Sequence, residues 1–96
     1  MYWHNSTLLI MNKNHLNELF ELFPELKTVG EAESFLRDML TPYELEQVAE
    51  RWQIVKGLSS GKSQRQVKKE LGVSIDKVTR GAKAIKDSKG GFNLFL

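Results

Sequence analysis

The chain has 96 residues, 41% hydrophobic and 9% aromatic, with a formal net charge of +2 at pH 7; this fits one small globular domain and excludes a disordered chain. The absence of cysteine excludes a disulfide framework and a thiolate metal site, and fits a reducing cytoplasm. No apolar run approaches the roughly 18 residues of a membrane span, and residues 1–10 lack the basic region and long apolar core of a signal peptide.

Met11 offers an alternative start, so residues 1–12 read as a disordered extension of a single domain spanning 1–96. Leu16, Leu19, Phe20 and Phe23 then recur at helical spacing until Pro24 ends the pattern. Thr28 and Glu31 have the spacing of a capping box, opening a second helix expected to bury Val29, Ala32, Phe35, Leu36 and Met39. The sharpest start signal is Thr41, Pro42 and Glu44: a cap, a proline at the first helical position and an acid at the third. The helix it opens is expected to place Leu45, Val48, Ala49, Trp52, Val55 and Leu58 inward and to stop around Ser59–Gly61.

Residues 63–81 read as two short helices joined by a turn. Ser63 and Gln66 have the spacing of a capping box, Gly72 closes the helix, Ser74 caps again, and Ile75, Val78, Ala82 and Ile85 recur at helical spacing. Helix, short turn with glycine, helix is the helix-turn-helix arrangement, whose second helix enters the major groove of DNA. Candidate DNA-contacting residues are Gln64, Arg65 and Lys68 on the first helix and Ile75, Asp76, Lys77 and Thr79 on the second. Lys68 is expected mainly at phosphate, and Lys77 and Thr79 closer to base edges. The tail ends in Phe92, Leu94, Phe95 and Leu96, four apolar groups that need cover from their own core or from a second subunit.

Charge follows this division. Residues 1–40 carry three bases against six acids, residues 41–60 two against three, and residues 61–96 nine against three, for net charges of −3, −1 and +6. The basic third coincides with the helix-turn-helix, the footprint expected of a phosphate-binding face. Chemistry of other kinds finds no support. His4 and His15 are the only histidines, and neither belongs to a carboxylate or thiolate constellation, so no metal, no catalytic residues and no enzyme activity are expected. No nucleotide-cradling glycine motif occurs.

From Leu40 to Ala84 the chain resembles the tryptophan repressor family, in LTPYELEQVAERWQIV and then SQRQVKKELGVSIDKVTRG. Lys68 stands where the general helix-turn-helix favours a small residue, and that family accepts lysine there. The resemblance implies an all-α, intertwined homodimer that represses transcription by binding operator DNA in the cytoplasm. L-tryptophan, the corepressor, would lie between the central and recognition helices, with no other cofactor. Arg51 and Arg80 would sandwich its indole ring, a cation–π contact, one of them also meeting the carboxylate, and phosphate anchoring is the rival role for Arg80. Thr41 would bind the carboxylate, Val55 would line the pocket, and Gly81 would leave room for the ligand. Backbone carbonyls near Asp38 and Leu40 of the other subunit would accept from the ammonium. Two departures keep a second reading open, in which the same fold binds DNA without tryptophan or with another effector. Ala84 replaces a serine near the ammonium, and the turn Gly61–Ser63 is one residue shorter. Asp76 replaces a small apolar residue on the reading helix, so the operator sequence does not carry over. A helical dimerisation module with a basic face for an acidic protein is the remaining alternative.

Overall fold

The computed structural model describes the backbone of residues 5–96 and side chains from residue 13 onward. His4, and side chains in the extension expected over 1–12, lie outside the described residues. Among these residues five α-helices follow one another: α1 Asn5–Leu22, α2 Val29–Met39, α3 Pro42–Ser59, α4 Gln64–Leu71 and α5 Ile75–Lys86. Short 3-10 turns cover Phe23–Glu25 and Phe92–Leu94, and no strand occurs among the described residues, in keeping with the all-helical expectation. The helices fall into two units, one ending at Met39 and the other running Leu40–Leu96.

Local chemistry sets the boundaries. Pro24 lies inside the 3-10 turn that ends α1, where Leu26 N donates to Phe23 O at 3.0 Å. Glu31 N donates to the Thr28 hydroxyl at 3.0 Å, while the Glu31 carboxylate accepts from Lys27 N at 2.8 Å, one residue earlier than a regular box. Thr41 and Glu44 complete the full box at the start of α3, with Glu44 N donating to Thr41 Oγ1 at 3.1 Å and Thr41 N to Glu44 Oε1 at 2.8 Å. Ser63 accepts from Gln66 N to open α4, and Ser74 accepts from Lys77 N to open α5. Gly72 closes α4 at φ 65°, a left-handed conformation that side-chain-bearing residues resist.

In the first unit the rings of Phe23 and Phe35 meet edge to face, with centroids 5.7 Å apart. α2 has no fully buried residue, and Val29 and Met39, expected inside, are exposed. Ala32, Phe35 and Leu36 are half-buried.

In the second unit α3, α4 and α5 pack on one another around Ile54, Val67 and Val78, with Leu58 and Val73 alongside, and Val55 is fully buried as well. Each of these apolar side chains contributes roughly 1.5–3 kcal/mol on removal from water. The inward arc of α3 differs from expectation: Ile54 enters the core, whereas Val48 and Ala49 are exposed. α4 and α5 cover only one side of α3, so a helix with apolar residues on several arcs can bury only the arc they reach. The tail is half covered. Phe92 is half-buried and the Phe95 ring meets Trp52 edge to face at 6.2 Å, while Leu94 and Leu96 stay exposed.

Candidate ligand cavity and nucleic-acid face

α5 comes close against α3 at Gly81. The glycine is buried, and a Cβ built there would collide with Ile54 Cγ2, so only a bare α-carbon lets the two helices meet this closely. Arg80 is the next residue back along α5, and this approach brings it to the wall of a cavity of about 400 Å³ shared with α3. Leu40, Glu50, Arg51, Ile54 and Lys77 also line that cavity. Arg51 and Arg80, singled out from the sequence, therefore border one space. Two guanidinium groups beside one cavity can bind a carboxylate or lie over an aromatic face.

The other expected ligand residues are distributed differently. Leu40 lines the cavity. Thr41 caps α3, its hydroxyl oxygen accepting from Glu44 N, which leaves the O–H as a donor. Those bonds hold the Glu44 carboxyl below its ordinary value, because the Thr41 backbone N–H and, next, its side chain favour the charged form. Val55, expected to line the pocket, lies wholly inside the core, and its neighbour Ile54 takes the cavity wall. A one-residue step along a helix turns the side chain by roughly 100°, which accounts for the exchange. Asp38 is an exposed residue of the first unit. Ala84 lines an adjoining groove of about 770 Å³ with Trp52, Phe92 and Phe95, which shares Val48 and Arg51 with the first cavity.

The expected DNA-facing residues Gln64, Arg65, Lys68, Ile75, Asp76 and Thr79 are all exposed. Lys77 is not: its Nζ donates to Glu50 Oε1 of α3 at 2.7 Å. That bond raises the Lys77 pKa above the ordinary lysine value; partial desolvation acts against it, and the charge of Glu50 adds to it. Lys62 pairs with Glu70 at 2.9 Å and Lys83 with Asp87 at 2.8 Å. Arg65, Lys68, Lys69, Arg80, Lys86 and Lys89 form no ion pair among the described residues, so no acid there neutralises much of the charge of the basic third. Sequence reasoning missed Glu50 and Ile54. A signal was present, since Glu50 precedes Ile54 and Lys77 precedes Gly81 by four residues each, a helical spacing on two helices that meet.

No metal-binding cluster of acids and histidines occurs among the described residues, and no helix of theirs is long and apolar enough to cross a membrane. The second unit is thus all-helical among the described residues, with a cation-lined cavity beside a basic pair of helices. Comparison with known proteins gives the family: residues 14–96 match the family described as Trp repressor protein, and the chain belongs to it. It is 34% identical over 89 residues to a Trp operon repressor homolog of Chlamydia trachomatis serovar L2, covering 88% of this chain and 95% of the relative. The homolog of Chlamydia caviae is 35% identical over 86 residues, covering 88% and 85%. No solved structure gives a significant match.

Proposed function

We propose that the chain is a cytoplasmic, DNA-binding transcriptional repressor that acts as a homodimer and takes L-tryptophan as its corepressor. The observation that carries this reading is the placement of Arg51 and Arg80 on one cavity between the central helix and the second helix of the basic pair. An amino acid with an aromatic side chain presents the two features that guanidinium groups hold best, a carboxylate and a π-face. Family membership supports the repressor role, and the Chlamydia relatives bear the name of Trp operon repressor homologs.

Dimerisation is supported by apolar surface that one chain leaves open. Val29 is 86% exposed, and Met39, Val48, Leu94 and Phe95 are each more than half exposed. A second copy is the simplest cover for such surface.

The test is DNA affinity with and without saturating L-tryptophan, on duplexes selected from a random pool by the protein itself. A ligand shifts the orientation of α5 only by its differential affinity for the two arrangements, so the coupling should be about 1–3 kcal/mol and reciprocal. Arg80→Ala should remove both ligand affinity and coupling. Arg51→Ala should weaken the ligand and leave tryptophan-free DNA binding nearly intact. Lys68→Ala should weaken all duplexes alike, and Thr79→Ala should alter preference among them. Equal affinity with and without tryptophan would remove the corepressor and leave the repressor.

A further inference from the structure

Lys77 and Glu50 do something in the α3–α5 junction that neither DNA contact nor ligand binding explains. Lys77 is the third residue of α5, and its amide is already held by the Ser74 hydroxyl at 3.3 Å. Its side chain runs back across the junction to Glu50 on α3, and the two side chains are 37% and 26% exposed. Among the described residues this is the one ion pair that joins α3 to α5. The others lie within α2, between the α3–α4 turn and α4, and at the end of α5.

Register gives the pair its significance. The two helices touch at Gly81 and Ile54. Lys77 stands four residues before Gly81 and Glu50 four before Ile54, so the pair lies one turn, roughly 6 Å, along each helix from that contact. Apolar packing of Gly81 and Val78 against the core around Ile54 carries no directional bond, so it fixes the separation of the two helices more firmly than their angle. A directional ion pair one turn from the Gly81 contact adds a restraint on that angle. Both residues also line the cavity that holds Arg51 and Arg80, where a bound ligand would otherwise be the second support.

We infer that Glu50 and Lys77 form a built-in clasp that sets the angle of α5 on α3 in the absence of any ligand. Lys77 is then a positioning residue, with its charge committed to α3 rather than to base edges. On the functional reading above, on which this consequence rests, the ligand-free repressor keeps part of its DNA affinity, and L-tryptophan acts on an angle already partly set. Glu50 therefore determines how strongly the protein depends on its effector.

The experiment uses the whole protein and the variant Glu50→Leu, which keeps the bulk of the side chain and removes the acceptor. Amide hydrogen exchange without ligand should be about two- to fivefold faster in α5 and unchanged in α4, the scale of one partly screened pair. Ligand-free DNA affinity should fall by about the same factor. Affinity at saturating tryptophan should change less, so the ratio of the two rises. Loss of a negative charge alone would tighten DNA binding, so a fall separates the clasp from simple electrostatics. Lys77→Met should reproduce the α5 exchange, and the double variant should add little to either single one. Unchanged α5 exchange in Glu50→Leu, equal acceleration of α4 and α5, or additive single effects would overturn the clasp. If wild type and variants alike bind no duplex, the DNA reading fails, while exchange still decides the clasp.

Discussion

Val78, in the first turn of α5, is 0% exposed, and Val29, the first residue of α2, is 86% exposed. The same side chain at nearly the same place in an amphipathic helix meets opposite fates in the two units. From Leu40 onward three helices enclose Ile54, Val67 and Val78, so the second unit completes a small core within one chain. α2 of the first unit has an apolar stripe of its own, Val29, Ala32, Phe35, Leu36 and Met39, yet buries none of its residues fully. Periodicity tells where an apolar face is; only a neighbouring element makes it an interior.

The largest expected effect tests the core of the second unit. Ile54→Ala should cost about 2–5 kcal/mol of unfolding free energy, because it opens space among Val67, Val78 and the close approach of Gly81. Chemical denaturation checks this, and a loss under 1 kcal/mol would break the distinction between the units. Gly81→Ala should follow at about 1–3 kcal/mol, since the added methyl meets Ile54 and must push α5 outward. The same substitution should lower ligand-dependent DNA binding more than stability alone explains, which titration of duplex with and without tryptophan would show.

The two threonine caps come next. Thr41→Ala removes a full reciprocal box and Thr28→Ala one in which Glu31 bonds to Lys27 instead; each should cost about 1 kcal/mol if its helix contributes to the cooperative fold. A smaller loss for Thr28→Ala would mark the first unit as the less cooperative one. The Thr41 box also carries a pH signature. The Glu44 carboxyl is held below its ordinary value in the folded chain, so its contribution is present above the unfolded value and is lost as pH falls through the folded one. Wild type should therefore lose more stability on acidification than Thr41→Ala, as thermal melts across the carboxylate range would show. The smallest effect is expected from Val29→Ser. In a dilute monomer it should be within about 0.5 kcal/mol of neutral, as at any exposed site. A loss that grows with protein concentration would show that a second copy covers this face, and sedimentation equilibrium of the variant would confirm the weaker association.

Much of this protein was legible in its residues, because helix ends are decided locally. Thr41, Ser63, Gly72 and Ser74 act on backbone groups within a few positions of themselves, and each acts as the sequence led one to expect. The all-helical class, the bounds of α3, α4 and α5 and the concentration of charge after Gly61 follow from information of that range. The resemblance over Leu40–Ala84 is likewise a property of the residues, and the family match over 14–96 agrees with it.

What the sequence could not settle are the matters decided by which helix lies against which. Val48, Ile54 and Val55 are all apolar residues of one helix, and only the placement of α4 and α5 sends Ile54 and Val55 inward and leaves Val48 open. Arg51 and Arg80 are 29 positions apart, and they border one cavity because Gly81 lets α5 settle on Ile54. Lys77 has the place of a base-facing lysine on the second helix, and its bond to an acid 27 positions earlier on α3 is a contact that only packing creates. A side chain's direction depends on charges and volumes far away in the chain, and those come together only when the helices pack.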